Sequence, residues 1–117
     1  MKHLKIYHNP RCSKSRKTLQ IIREHGVEPE VVEYLKTPPT ETELKKISDL
    51  LGLEPKHFVR AKENDFKENG LSEKISDNKE MFRLMVKFPK VIERPIVISD
   101  DSAIIGRPPE NVLKILT

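Results

Sequence analysis

The stretch LKIYHNPRCSKSRKTLQIIREHGVEPEVVEYL, residues 4–35, changes its hydrophobic period twice. In LKIY the residues alternate, with Leu4 and Ile6 predicted inward and Lys5 and Tyr7 outward, the two-residue period of a strand. Beyond HNPRCS the period lengthens. Thr18, Leu19, Ile21, Ile22 and His25 share one face of a helix, and Gly26 ends it. EVVEYL, residues 30–35, then reads as a second strand carrying Val31, Val32, Tyr34 and Leu35. A β-α-β order with a connection long enough for a crossover argues for parallel pairing of the two strands.

Working outward, Pro38 and Pro39 break the chain. Thr40 and Glu43 then have the spacing of a capping box, before the helical stripe Leu44, Ile47, Leu50 and Leu51 that Gly52 ends. Residues 54–76 are polar with scattered apolar anchors, the pattern of short helices and turns. Asp77 is placed to cap a further helix, KEMFRLMVKF, whose Met81, Phe82 and Met85 read as core before Pro89 stops it. IVIS (96–99) and AII (103–105) are spaced as an antiparallel hairpin. Pro108 and Pro109 open a final helix with Val112, Leu113, Ile115 and Leu116 apolar. The order predicts one α/β domain over residues 1–117, a thioredoxin-like mixed sheet with a helical insertion at about 40–90.

Composition narrows the function classes. A chain of 117 residues supports one core. Its net charge of +4 is scattered, with 5% aromatics and no Lys/Arg block, so no nucleic-acid surface is evident. No apolar run approaches the ~20 residues of a membrane span, and MKHLKIYHNP is too short and too charged for a signal peptide. A single cysteine excludes an internal disulfide and suits a reducing, cytoplasmic compartment. No apolar seam suggests an oligomer, so a monomer is expected.

That cysteine, Cys12, falls between strand and helix, with Arg11, Lys14, Arg16 and Lys17 around it. Open N–H groups and the positive end of the helix dipole stabilise a thiolate there, and cationic neighbours add to the effect. Ser13 and Ser15 can donate toward the sulfur or an incoming anion. A lone intracellular cysteine is more often a small buried hydrophobe, but Cys12 lies in a polar turn rather than an apolar stripe. It reads as a nucleophile. The arginine that would close a phosphatase loop six positions later is Thr18, and the second thiol of a Cys-x-x-Cys pair is Ser15. The resolving thiol must come from another molecule, with glutathione the available cytosolic donor.

His8-Asn9-Pro10-x-Cys12-x-x-Ser15-Arg16 resembles the signature of the glutaredoxin-linked arsenate reductase (ArsC) family. YLKTPPTETEL, Arg60 in FVRAKE, Arg94 in ERPIVI and Arg107 in GRPPENVLKIL follow in family order, from about residue 4 to the end. NPRCSKSR with a short end is similar in particular to a reductase-related subgroup. The resemblance implies a glutaredoxin-like fold and reduction of arsenate to arsenite. Cys12 would attack the oxyanion, glutathione would act as co-substrate, and glutaredoxin would reduce the enzyme, with no bound cofactor. It also implies that Arg60, Arg94 and Arg107 surround the oxyanion, that His8, Ser15 and Arg16 support the thiolate, and that the Arg94–Pro95 bond is cis.

Converging guanidinium groups suit a phosphate-shaped anion whose charge grows during attack. Outside that set, arginines read as surface charges. His3, His25 and His57 lack metal-ligand spacing with each other or with Cys12, so no metal site is expected. Two other functions fit the same frame. One is a monothiol glutaredoxin-like oxidoreductase, although the Gly-Phe usual after the cysteine of its cluster-binding forms is absent. The other is a redox-responsive regulator docking on RNA polymerase, although its usual second thiol is replaced by Ser15.

Overall fold

A computed structural model describes residues 3–116. The chain divides into two compact units: the part up to Thr37 together with Arg94 onward, and Pro38–Glu93.

The first unit is built on a four-stranded sheet of β1 (Lys5–His8), β2 (Glu30–Glu33), β3 (Ile96–Ile98) and β4 (Ala103–Ile105), in the order β2-β1-β3-β4. β1 pairs in parallel with β2, through α1 (Ser13–Glu24), and antiparallel with β3; β3 and β4 form an antiparallel hairpin. This is the mixed thioredoxin-like sheet expected from the order of elements. Its core joins Leu4, just before β1, Ile6 of β1, Leu19, Ile21 and Ile22 of α1, Val97 of β3, and Val112 and Ile115 near the end of the chain. Ile22 is fully buried there. Ile22→Ala should cost about 2–5 kcal/mol of stability, read as a lower urea midpoint.

Four details depart from the sequence expectation. Tyr7, predicted outward, is buried, as are Ile96 and Ile98 on the same face. The reason is that β1 is an interior strand covered on both faces, where alternation no longer separates inside from outside. His25, placed on the packed face, is exposed at the C-cap of α1. β2 is shorter than EVVEYL and lies at the sheet edge, leaving Val31 37% and Leu35 38% exposed. The chain after Pro108 begins not as an α-helix but as a 3-10 turn, Pro109–Val112, followed by the short α5, Leu113–Leu116. Leu113 of α5 faces outward.

In the second unit, α2 (Glu41–Leu51) starts with the expected capping box between Thr40 and Glu43 and ends at Gly52, with φ +67°. That angle suits glycine because no Cβ is present to clash. A 3-10 turn at Pro55–His57, α3 (Asn64–Glu68) and another 3-10 turn at Leu71–Lys74 fill the polar stretch. Asp77 caps α4 (Asn78–Lys87) by accepting the Glu80 N–H, and Met81 and Met85 are fully buried.

Candidate active site

The C-terminal end of β1 runs into a tight turn that presents Cys12. Asn9 shapes it: its side-chain oxygen accepts the Arg11 N–H (3.0 Å) and its carbonyl accepts the Cys12 N–H (3.0 Å). Cys12 is the N-cap of α1, in extended conformation, and its carbonyl accepts the Arg16 N–H. Its side chain makes no capping hydrogen bond, and the first turn of α1 contains no acidic residue. The first-turn N–H groups, which no helix can satisfy internally, therefore keep their attraction for an anion. The thiol itself is half-buried.

A guanidinium faces this sulfur. Arg107 Nη2 donates toward Cys12 Sγ at 3.8 Å, while Arg107 Nε donates to the Arg94 carbonyl at 2.9 Å. Extending the Ile96–Ile105 pairing by two residues puts Arg94 opposite Arg107, at the open end of the hairpin. Both precede cis prolines, Pro95 as expected and Pro108 unforeseen. The structure thus brings the Arg107 guanidinium to Cys12 and ties it to the Arg94 backbone.

His8, Ser15 and Arg16 stand around the turn rather than against the sulfur. The Ser15 hydroxyl oxygen accepts the Asn9 N–H (3.1 Å) and lies 2.6 Å from His8 Nδ1. Arg16 Nη1 donates to the Pro10 carbonyl (2.8 Å). Their hydrogen bonds go to one another and to the loop backbone rather than to Cys12 Sγ, so they brace the loop that carries the thiol. Arg107 reaches the thiol across 95 positions, and no local spacing in the sequence links the two. Arg60 lies in the second unit, where its guanidinium is 3.3 Å from Glu63 and 3.9 Å from Glu93.

Burial holds the His8 imidazole below its ordinary value of 6.5, with the charges of Arg23 and Arg16 acting in the same direction and Glu33 opposing. A neutral ring can accept the Ser15 O–H at Nδ1, which satisfies both groups. Because the unfolded chain takes up this proton more readily, the linked stability is complete above pH 6.5. It falls as pH drops through the interval below 6.5. Urea unfolding at pH 7.5 and 5.5 should show a smaller loss on acidification for His8→Asn than for the unaltered protein.

A cleft of about 280 Å³ opens beside the loop, lined by His8, Asn9, Pro10, Arg11, Glu33, Leu35 and Lys36. Among the described residues, no group of three or more His, Cys, Asp or Glu side chains is placed to hold a metal ion. No helix among them is long and apolar enough to cross a membrane.

The ArsC family profile matches residues 7–115. An arsenate reductase of Neisseria meningitidis serogroup B is 44% identical over 117 residues, covering 99% of this chain and 100% of that protein. The arsenate reductase of Escherichia coli K12 is 39% identical over 116 residues, covering 99% of this chain and 82% of its own. The uncharacterized protein YfgD of the same organism is 47% identical over 116 residues, 98% of each chain. Among solved structures, an arsenate reductase from Vibrio cholerae superposes with a TM-score of 0.92 at 44% identity, covering 97% of this chain and 98% of that one.

Proposed function

The chain belongs to the ArsC family, and from that membership we propose that it reduces arsenate to arsenite, with Cys12 as nucleophile and glutathione and glutaredoxin as reductants. The observation that carries the reading is the sulfur at the start of α1 with the Arg107 guanidinium 3.8 Å away. Names of the relatives supply the substrate.

The steps balance as follows. The Cys12 thiolate forms a bond to arsenic as an arsenate oxygen leaves as water. The thiolate of glutathione then attacks the Cys12 sulfur, making a disulfide, and the sulfur–arsenic electron pair stays on arsenic, which departs as arsenite. Two sulfurs are oxidised and arsenic falls from the +5 to the +3 state. A glutaredoxin thiol takes over the glutathione and returns Cys12 to its starting form.

During attack, negative charge moves onto the arsenate oxygens, where fixed cationic donors lower the barrier. Arg107 stands next to the sulfur for this task, and the family resemblance adds Arg94 and Arg60 to the oxyanion set. His8, Ser15 and Arg16 hold the loop that aims the thiolate. The cleft beside the loop leaves room for a small peptide thiol.

The test is reconstitution: purified protein, arsenate, glutathione and glutaredoxin, with NADPH loss followed through glutathione reductase. Arsenate-dependent NADPH consumption is expected. Absence of it with a reactive Cys12 would replace this reading with thiol–disulfide exchange on other substrates.

A further inference from the structure

Arg107 reaches the sulfur from a turn that has no regular structure of its own, between β4 and the final 3-10 turn. Three contacts fix that turn. Gly106 N–H donates to the Pro95 carbonyl (2.9 Å), tying it to the start of β3. Gly106 also abuts α1 so closely that a Cβ would lie 2.5 Å from Thr18 Oγ1 and 2.7 Å from Pro95 Cγ. Thr18 cannot swing away cheaply, since its hydroxyl donates to the Lys14 carbonyl at 2.8 Å.

The third contact comes from a residue with no place in the thiol chemistry. The Asn111 carboxamide nitrogen donates to the Ile105 carbonyl (3.2 Å) and to the Arg107 carbonyl (3.0 Å), while the Asn111 backbone N–H donates to the Pro108 carbonyl (3.0 Å). One half-buried side chain thereby spans the turn on both sides of Arg107. The Ile105 carbonyl also accepts the Arg107 backbone N–H (2.9 Å), so the carboxamide adds a second bond there and a bond to the Arg107 carbonyl. Only an amide offers two N–H groups from one atom at this length.

We propose that Asn111 is a positioning residue for Arg107: by clamping the carbonyls of Ile105 and Arg107 it holds the guanidinium at the Cys12 sulfur. The importance of Arg107 for arsenate rests on the reaction proposed above, but the placement of its charge beside the thiol can be read without arsenate. A side chain free to rotate about its stem, as an unclamped arginine would be, spends part of its time in solvent and screens the sulfur less.

The experiment compares Cys12 alkylation by anionic iodoacetate with that by neutral iodoacetamide at pH 7 and low salt. The ratio of the two rates reports positive charge at the sulfur and cancels changes common to both reagents. Arg107→Ala should lower the ratio about fivefold, and Asn111→Ala about two- to threefold, as expected for loss or partial displacement of one nearby charge. Asn111→Ala added to Arg107→Ala should lower it no further, since the residue acts through the guanidinium. An unchanged ratio in Asn111→Ala, or an equal drop with and without Arg107, overturns the proposal. If Asn111→Ala does not fold, Asn111→Ser, which keeps one donor, is read in the same way. Loss of arsenate turnover by the unaltered protein would sink the proposed reaction and leave this ratio test standing.

Discussion

Cys12→Ser is expected to abolish arsenate reduction while leaving the fold intact or slightly more stable. Serine presents an oxygen at nearly the same point, but its hydroxyl does not ionise near neutral pH and cannot pass through a disulfide with glutathione. The steps after the first therefore have no counterpart, and coupled NADPH loss should fall to the rate without protein, a drop of at least about a thousandfold on the scale of other lost nucleophiles. Stability should move the other way. Cys12 occupies the N-cap of α1 without making a capping bond, and serine is among the preferred N-cap residues, contributing up to about 1 kcal/mol over non-capping side chains. Thermal unfolding at an equal or higher temperature, together with no turnover, is the expected pair of results. Residual turnover well above background would remove Cys12 from its assigned role.

The second large effect is at Arg107. Its guanidinium does two jobs at once: Nε is bound to the Arg94 carbonyl, and Nη2 points to the sulfur. Arg107→Ala should lower kcat/KM for arsenate by about 100- to 1000-fold, the range seen when one fixed donor to a developing oxyanion is removed. Arg107→Lys should recover little of this. An ammonium has the charge but not the planar fork, so it cannot hold the Arg94 carbonyl and still present a second donor toward the sulfur in the same geometry. Parallel kinetics of the two variants decide the matter. Full activity in either would show that the guanidinium is not used during attack.

Local patterns in the amino-acid order revealed the parts whose causes are local. The switch of period around Cys12 exposed β1 and α1, and Thr40 with Glu43 marked the start of α2 because a capping box is a contact between residues three apart. Cys12 itself was legible because a strand end followed by a helix start is a local event. Contacts set by the sheet were not. Tyr7 looked outward because alternation identifies two faces but not whether the second is covered. Ser15 and Arg16 were recognised as neighbours of the thiol, yet their hydrogen bonds go to His8, Asn9 and Pro10, a choice made by the shape of the turn. Arg107 meets Cys12 across 95 positions. Composition and periodicity carry no trace of such a meeting; the family resemblance did. Asn111 carries no sequence signal, because its bonds go to backbone carbonyls, which every residue type supplies.

The half-exposed Cys12 carries the sole thiol in the chain. Cross-linking through it has a valency of one. Under disulfide-forming oxidants, two copies can be joined and a third cannot be added, so ladders of larger disulfide-linked species are ruled out by counting alone. The same arithmetic makes any thiol-reactive dye a one-to-one tag whose signal comes from a single known position.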